Sequence, residues 1–437
     1  MNKKILNLAI PNIISNITVP LLGMADLAIV GHLNSEVYVG AIALGSMIFN
    51  LIYWTFGFLR MGSSGLTAQY LGAKNFSEIM AVLIRGLTVA TIISASILLL
   101  QIPIAKVVFY FIDGSSQVEM LAQKYFYIRI WAAPATISMY VLTGWFIGMQ
   151  NSKIPMIIAI IVNILNVILD ALFVYVFNLE LNGVAWGTLI SQYLGLILAF
   201  IFLYKKYKYI FIHINKNIIF KGKELYKFFR INRDIFIRTL SLLTVFTFFT
   251  SKSASVNDNI LAVNTLLLQF LFLFSFLIDG FAYAAEALTG MFYGAMQYDK
   301  LKTVINRIFI WGSAISVVFT LLYIYFYKIL FNILTSQKEL ILIAENYIYW
   351  IILIPIISVA SFIWDGVFIG LTETKYMRNS MLLSVFIVFF PTWYFLDDIY
   401  NNNALWLAFI LFFLSRGISQ SIMYIFIKKR FITNVKI

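Results

Sequence analysis

Cysteine is absent from all 437 residues. That excludes a disulfide framework, a thiolate zinc site and a thiol redox centre, and it leaves no sign of the redox compartment. Histidine is nearly absent, and His32 and His213 stand too far apart to suggest a metal site. Charge is scarce: 12% of residues are Asp, Glu, Lys or Arg, against about 25% in a soluble domain. Neither a phosphate-cradling GxxxxGKS/T loop nor a G-x-S-x-G nucleophile turn occurs. No cofactor is expected. ATP-driven work and covalent catalysis have no residues to carry them, so a membrane-embedded enzyme stays only as a remote alternative.

Hydrophobic residues make up 62% of the chain. They fall in twelve runs, at 5–30, 37–66, 82–111, 121–149, 154–177, 183–204, 234–252, 259–293, 305–331, 341–371, 379–396 and 403–427. Each is long enough for a membrane helix, which needs about 20 apolar residues. The basic tip MNKK resembles a signal peptide, but Pro11 and Pro20 interrupt the apolar run after it and no small-residue cleavage site appears. A retained first helix is expected.

The charges give a direction. Lys3, Lys4, Lys74, Arg85, Lys153, Lys300, Lys375 and Lys428 fall at every second boundary, as does the dense run from Lys205 to Arg238. The alternate loops are acidic, with Glu36, Asp113, Glu180, Glu339 and Asp397. The positive-inside rule then places both termini and the 205–233 loop in the cytoplasm. The net charge of +13 is mostly this asymmetry. Topology and anionic lipid headgroups account for the basic run, and no nucleic-acid partner is expected.

The chain is written twice. LTAQYLGAKNF (66–76) aligns with LTGMFYGAMQY (288–298), and GWFIGMQNSK (144–153) with GVFIGLTETK (366–375), both at an offset of 222 residues. The expected architecture is all-α and polytopic. The spacing divides it into an N-terminal lobe (1–204), a basic linker (205–233) and a C-terminal lobe (234–437). Each half has an even number of spans, so the lobes share one orientation and relate by an axis along the membrane normal. That is a layout for alternating access. Gly72 and Gly294, at helix ends, are expected to stop their helices with a positive φ.

The acids are not duplicated. Asp26, Asp170, Asp279, Glu286 and Asp365 lie at membrane depth, where a carboxylate costs roughly 2.5–3.5 kcal/mol. At the repeat offset Asp26 falls on Phe248 and Asp170 on Thr392. Asn163, Asn166 and Asp170 are spaced by three and four and so share a helix face. Thr188 is about one turn into the next span. With Asp26, these five can converge as an oxygen set for a proton or small cation; a purely structural polar cluster is the alternative. Arg60 and Arg129 lie toward span ends, where they can snorkel. Arg416 is nearer mid-span and is expected to pair with an acid.

Several stretches together resemble the multidrug and toxic compound extrusion transporters, in particular the DinF-like branch: PNIISNITVPLLGMADLAIVGHL, FGFLRMGSSGLTAQYLGA, NILNVILDALF, NGVAWGT, FAYAAEALTGMFYGA and FIWDGVFIGLTETKYMRNSM. They run through nearly the whole chain. The resemblance implies a monomeric twelve-helix antiporter of a bacterial inner membrane. It would export amphipathic, cationic small molecules against protons or sodium. It implies a coupling acid at Asp26, joined by Asn166, Asp170 and Thr188, which would also form any sodium site. It implies helix bending at Pro11 and an acidic C-lobe position at Asp365, with Asp279 and Glu286 as further C-lobe candidates. TLSLLTVFTFFTSKSAS, in the seventh span, lacks the acid of the NorM-like branch, which moves the expected coupling to the N-lobe. A lipid-linked oligosaccharide flippase of the wider superfamily is the nearest rival.

Overall fold

The structure, a computed structural model, describes residues 1–33, 35–110 and 115–435, with side chains as far as Lys428. Asp113, assigned above to an outer loop, lies outside the described residues. Among the described residues, twelve helices are long and apolar enough to cross a membrane: Asn2–Gly31, Glu36–Gly72, Phe76–Leu99, Ser116–Gly148, Lys153–Val176, Glu180–His213, Gly222–Val256, Asp258–Gly294, Tyr298–Leu334, Ile348–Gly370, Thr374–Tyr400 and Asn402–Lys428. They are called spans 1 to 12 below. No strand occurs among the described residues. Hydrocarbon offers no partner to a backbone N–H or C=O, so a spanning chain that is not a closed barrel must be helical. Bulky apolar side chains such as Leu99, Ile212 and Tyr325 face outward, while Trp145 and Trp406 are fully buried.

Several spans are interrupted. Span 2 breaks at Phe56 and Gly57 between Glu36–Thr55 and Phe58–Gly72. Span 4 tightens into a 3₁₀ turn over Ile130–Ala132 just before Pro134. Spans 5 and 11 contain π-helical segments, at Leu172–Val176 and Ser384–Phe389. Span 1 is a single helix in which Pro11 and Pro20 are both embedded.

The chain divides into two compact units, Ile14–Phe229 and Met1–Ile13 with Arg230–Ile437. The division passes through span 1 two residues after Pro11, and through span 7. In the second unit the first turns of span 1 pack against span 8, where Gly280 leaves room for Ile13 and the Ala9 carbonyl. Residues 205–233 are largely helical, with a 3₁₀ segment at Lys208–His213, a short helix at Lys216–Ile219 and span 7 starting at Gly222. Arg85 fastens this stretch to the first unit. Its guanidinium donates to the carbonyls of Ile218 and Ile219 and to Glu78. Nearby the Tyr70 hydroxyl donates to Glu224 Oε2 at 2.6 Å.

The duplication is carried into atomic contacts. Gly144 lies against the backbone of Arg60, and Gly366 lies against the backbone of Ala282, at the same offset. Gly148 meets the Ser64 carbonyl as Gly370 meets that of Glu286. A Cβ at any of the four would drive two spans apart, so these glycines set the helix spacing. The helix ends repeat too. Asn75 N–H donates to Tyr70 O and Gln297 N–H to Phe292 O, both at 2.9 Å. One expectation is corrected here. The left-handed residues are Lys74 (φ 54°) and Met296 (φ 56°), while no described glycine has a positive φ. Gly72 and Gly294 remain the last helical residues; the chain reverses two residues later, where the backbone bonds close the end.

Candidate functional site

Span 5 supplies two residues to the first unit's polar centre. Helical spacing aims Asn166 and Asp170 the same way, and both are almost fully buried, at 1% and 0% exposure. Asn166 Nδ2 donates to Asp170 Oδ1 at 3.1 Å and to Thr188 Oγ1 of span 6 at 3.3 Å. Asp26 of span 1 is buried beside them, its carboxyl within hydrogen-bonding reach of Asp170. Asn163 takes a different place. Its Nδ2 donates to the Thr18 carbonyl at 3.2 Å, so it ties span 5 to span 1 about two turns away from the carboxyls. The π segment adds a second tie, from the Tyr175 hydroxyl to Ile29 O at 2.9 Å.

Three buried oxygens here have no hydrogen-bond donor: Asp26 Oδ1, Asn166 Oδ1 and Asp170 Oδ2. Leaving such atoms dry and unmatched costs about 1–3 kcal/mol each. A proton bound by the carboxyl pair, or a small hard cation among the oxygens, would satisfy them. The donor set therefore fits either. No cluster of three or more His, Cys, Asp or Glu occurs among the described residues.

Two neighbours of the pair were not legible in the sequence as functional. Gly187 of span 6 abuts Asp170, and a Cβ there would collide with the carboxylate and come within 3.0 Å of the Asp170 backbone nitrogen. Arg129 does not snorkel. Its Nη1 donates to the buried Tyr125 hydroxyl at 2.7 Å, its guanidinium lies over the Phe49 ring at 4.9 Å, and it interacts electrostatically with Asp26. Arg129 ends a helix that the 3₁₀ turn cuts short at Ile130. The break therefore comes one residue after Arg129.

The second unit presents the opposite arrangement. Asp365 is saturated: Oδ2 accepts from Arg238 and from Arg416, the latter at 2.7 Å, and Oδ1 accepts from Gln420 at 2.6 Å. The sequence expectation that Arg416 meets an acid is realised here. Asp279 interacts electrostatically with Arg416. Glu286 is buried at 1% exposure on span 8, next to the Gly370 contact. Asp234, at the cytoplasm-facing end expected for span 7, pairs with Arg378 at 2.7 Å.

The MatE family model matches this chain twice, over residues 11–172 and 235–395, once in each half. DNA damage-inducible protein F of Escherichia coli K12 is 34% identical over 427 residues, covering 97% of this chain and 92% of that protein. The probable multidrug resistance protein NorM of Thermotoga maritima is 24% identical over 200 residues, 45% of this chain and 43% of its own length. Among solved structures, a multidrug resistance MATE family transporter in an outward-facing conformation superposes with a TM-score of 0.86 at 19% identity, covering 99% of this chain and 96% of that one. A MOP superfamily transporter from Pyrococcus furiosus, described as having a binding pocket of reversed polarity, gives 0.86 at 20% identity, covering 98% and 95%.

Proposed function

Because the chain belongs to the MatE family of multi-pass membrane transporters, we propose that it is a secondary antiporter. It exports amphipathic, cationic small molecules in exchange for protons, with sodium able to enter the same pocket. The observation that carries this reading is the Asp26–Asp170 carboxyl pair, buried with three oxygens that lack donors. An acid buried inside a membrane protein is costly and marks an ion path by default. Coupling then needs only competition. A proton on the pair neutralises the pocket and releases a cationic substrate; loss of the proton restores the charge that binds the next one. The apolar spans around the pair favour neutral over ionised carboxyls, which weights the choice toward protons.

The remaining parts of the reading follow from the same features. The chain acts as a monomer in a bacterial inner membrane with both termini in the cytoplasm, as the Lys and Arg asymmetry indicates. Its halves alternate access, with Pro11 as a bending point in span 1. Coupling belongs to the N-terminal half, because Asp365 already binds two arginines and a glutamine. The same neutralisation argues against a flippase, which needs basic groups free for a phosphate-bearing lipid. The test is substrate efflux from proteoliposomes. A pH gradient in sodium-free buffer should drive it; no efflux there, with strong efflux under a sodium gradient at uniform pH, would make the pocket a sodium site.

A further inference from the structure

Phe248 stands in span 7 where the duplication puts Asp26 in span 1. The register is anchored just beyond, since Ser35 and Asn257 cap spans 2 and 8 at the same offset. On the simple offset Asp170 corresponds to Thr392. Span 11, however, contains the π segment Ser384–Phe389 before this point, whereas span 5 is α-helical over the equivalent residues. A π turn takes up one residue more than an α turn. The register therefore advances by one, and Trp393 takes the place of Asp170.

The two halves thus hold different pairs at one position. In the first half two carboxyls meet; in the second the rings of Phe248 and Trp393 meet edge to face, with centroids 4.7 Å apart. Phe389 and Phe390 close on Phe248 from two further sides, at 5.8 and 5.0 Å. The ammonium of Lys252, one turn along span 7, sits over the Trp393 ring 4.4 Å from its centroid. No carboxylate pairs with it among the described residues. The buried Trp393 Nε1 has no acceptor.

We propose that this aromatic cluster is a substrate subsite for the cationic, aromatic or alkylammonium head of an exported compound. Lys252 is its resident occupant when substrate is absent. A cation over a tryptophan face is bound by the ring quadrupole, and Lys252 shows that this face is reachable by one. Its half-exposed, flexible side chain can swing away when a better-fitting cation arrives. Phe248 and Phe390 then cover the apolar body. Duplication followed by exchange of carboxyls for aromatics thus gave the cargo a further subsite in the second half, while proton and substrate still compete at the carboxyl pair of the first. This assignment rests on the antiport reading above and names where in the second half the cargo is held.

The experiment is equilibrium binding of ethidium and tetraphenylphosphonium to the purified full-length protein, followed by fluorescence and by competition. Trp393→Ala should weaken both about tenfold, and Trp393→Phe should recover most of the loss. Lys252→Gln should tighten both roughly two- to fivefold, because the internal competitor is gone. Wild-type affinity in a Trp393→Ala protein with an unchanged thermal transition overturns the site, as does weaker binding in Lys252→Gln. If Trp393→Ala fails to fold, the direction of the Lys252→Gln change decides. A wild-type protein that binds neither cation removes the cationic-substrate reading, and this site with it. Cation binding that survives in Trp393→Ala removes the site alone.

Discussion

The carboxyl of Asp26 and the hydrogen atom of Gly187 do opposite things for one pocket. Asp26 brings the charge; Gly187, by having no side chain, leaves the space in which Asp170 sits. Asp26→Asn keeps the shape and hydrogen-bonding capacity but cannot ionise. It should reduce gradient-driven efflux to the level of empty vesicles while moving the thermal midpoint little; efflux at the wild-type rate would reduce Asp26 to a structural acid. Gly187→Ala should cost about 1–3 kcal/mol through overpacking and abolish coupling by displacing Asp170. Gly23→Ala, where nothing lies within 4 Å, is the matched control and should leave efflux and the thermal midpoint unchanged. The contrast between these glycines was not visible in the sequence. Asn166 and Asp170 were legible because helix periodicity turns spacing into shared facing, and Thr188 because a short loop returns the chain beside them about one turn into the next span. Gly187 looked like one more member of a packing stripe, since its role depends on which atom of span 5 arrives opposite. Arg129 was misread for a similar reason: it is held by the Tyr125 hydroxyl and by the Phe49 ring of span 2, which only the packing brings to it.

At the scale of helices, apolar length made the twelve spans countable, because a bilayer imposes a minimum on every one of them. Helix ends were less legible. Span 7 begins at Gly222, inside a stretch whose many charges suggested a loop; the helix continues beyond the apolar run, where charged side chains are at no disadvantage. The π segments left no sequence mark, since a π turn is stabilised by what packs around it rather than by the residues in it. Spans 7, 10 and 12 are joined by the Arg238–Asp365–Arg416 cluster, and this sets a test between the two halves. Asp365→Asn removes the carboxylate that two buried guanidiniums share and should destabilise the fold by about 3–5 kcal/mol. Asp170→Asn should leave stability nearly intact and uncouple efflux from the gradient. Thermal unfolding of the two variants beside vesicle efflux checks both; loss of coupling in a stable Asp365→Asn, with coupling kept in Asp170→Asn, would reverse the assignment.

For the molecule as a whole, the absence of cysteine makes orientation directly measurable, because any introduced thiol is the only one. A cysteine at position 216, in the stretch that Arg85 fastens down, should resist an impermeant thiol reagent in intact cells and react once the membrane is opened. Labelling from outside would invert the topology.

The lone carboxyl pair of the first half has a thermodynamic consequence. With no second such pair among the described residues of the other half, the antiport proposed above moves at most two protons through this pair in one turn of the cycle. Exchange of one proton for one monovalent cation is electroneutral: membrane voltage contributes nothing, and the substrate ratio across the membrane is capped at roughly tenfold per unit of pH difference. Exchange of two protons squares that cap and carries net positive charge inward, so that voltage then adds to the driving force. Clamping the voltage of a vesicle at fixed pH difference therefore counts the protons held by Asp26 and Asp170.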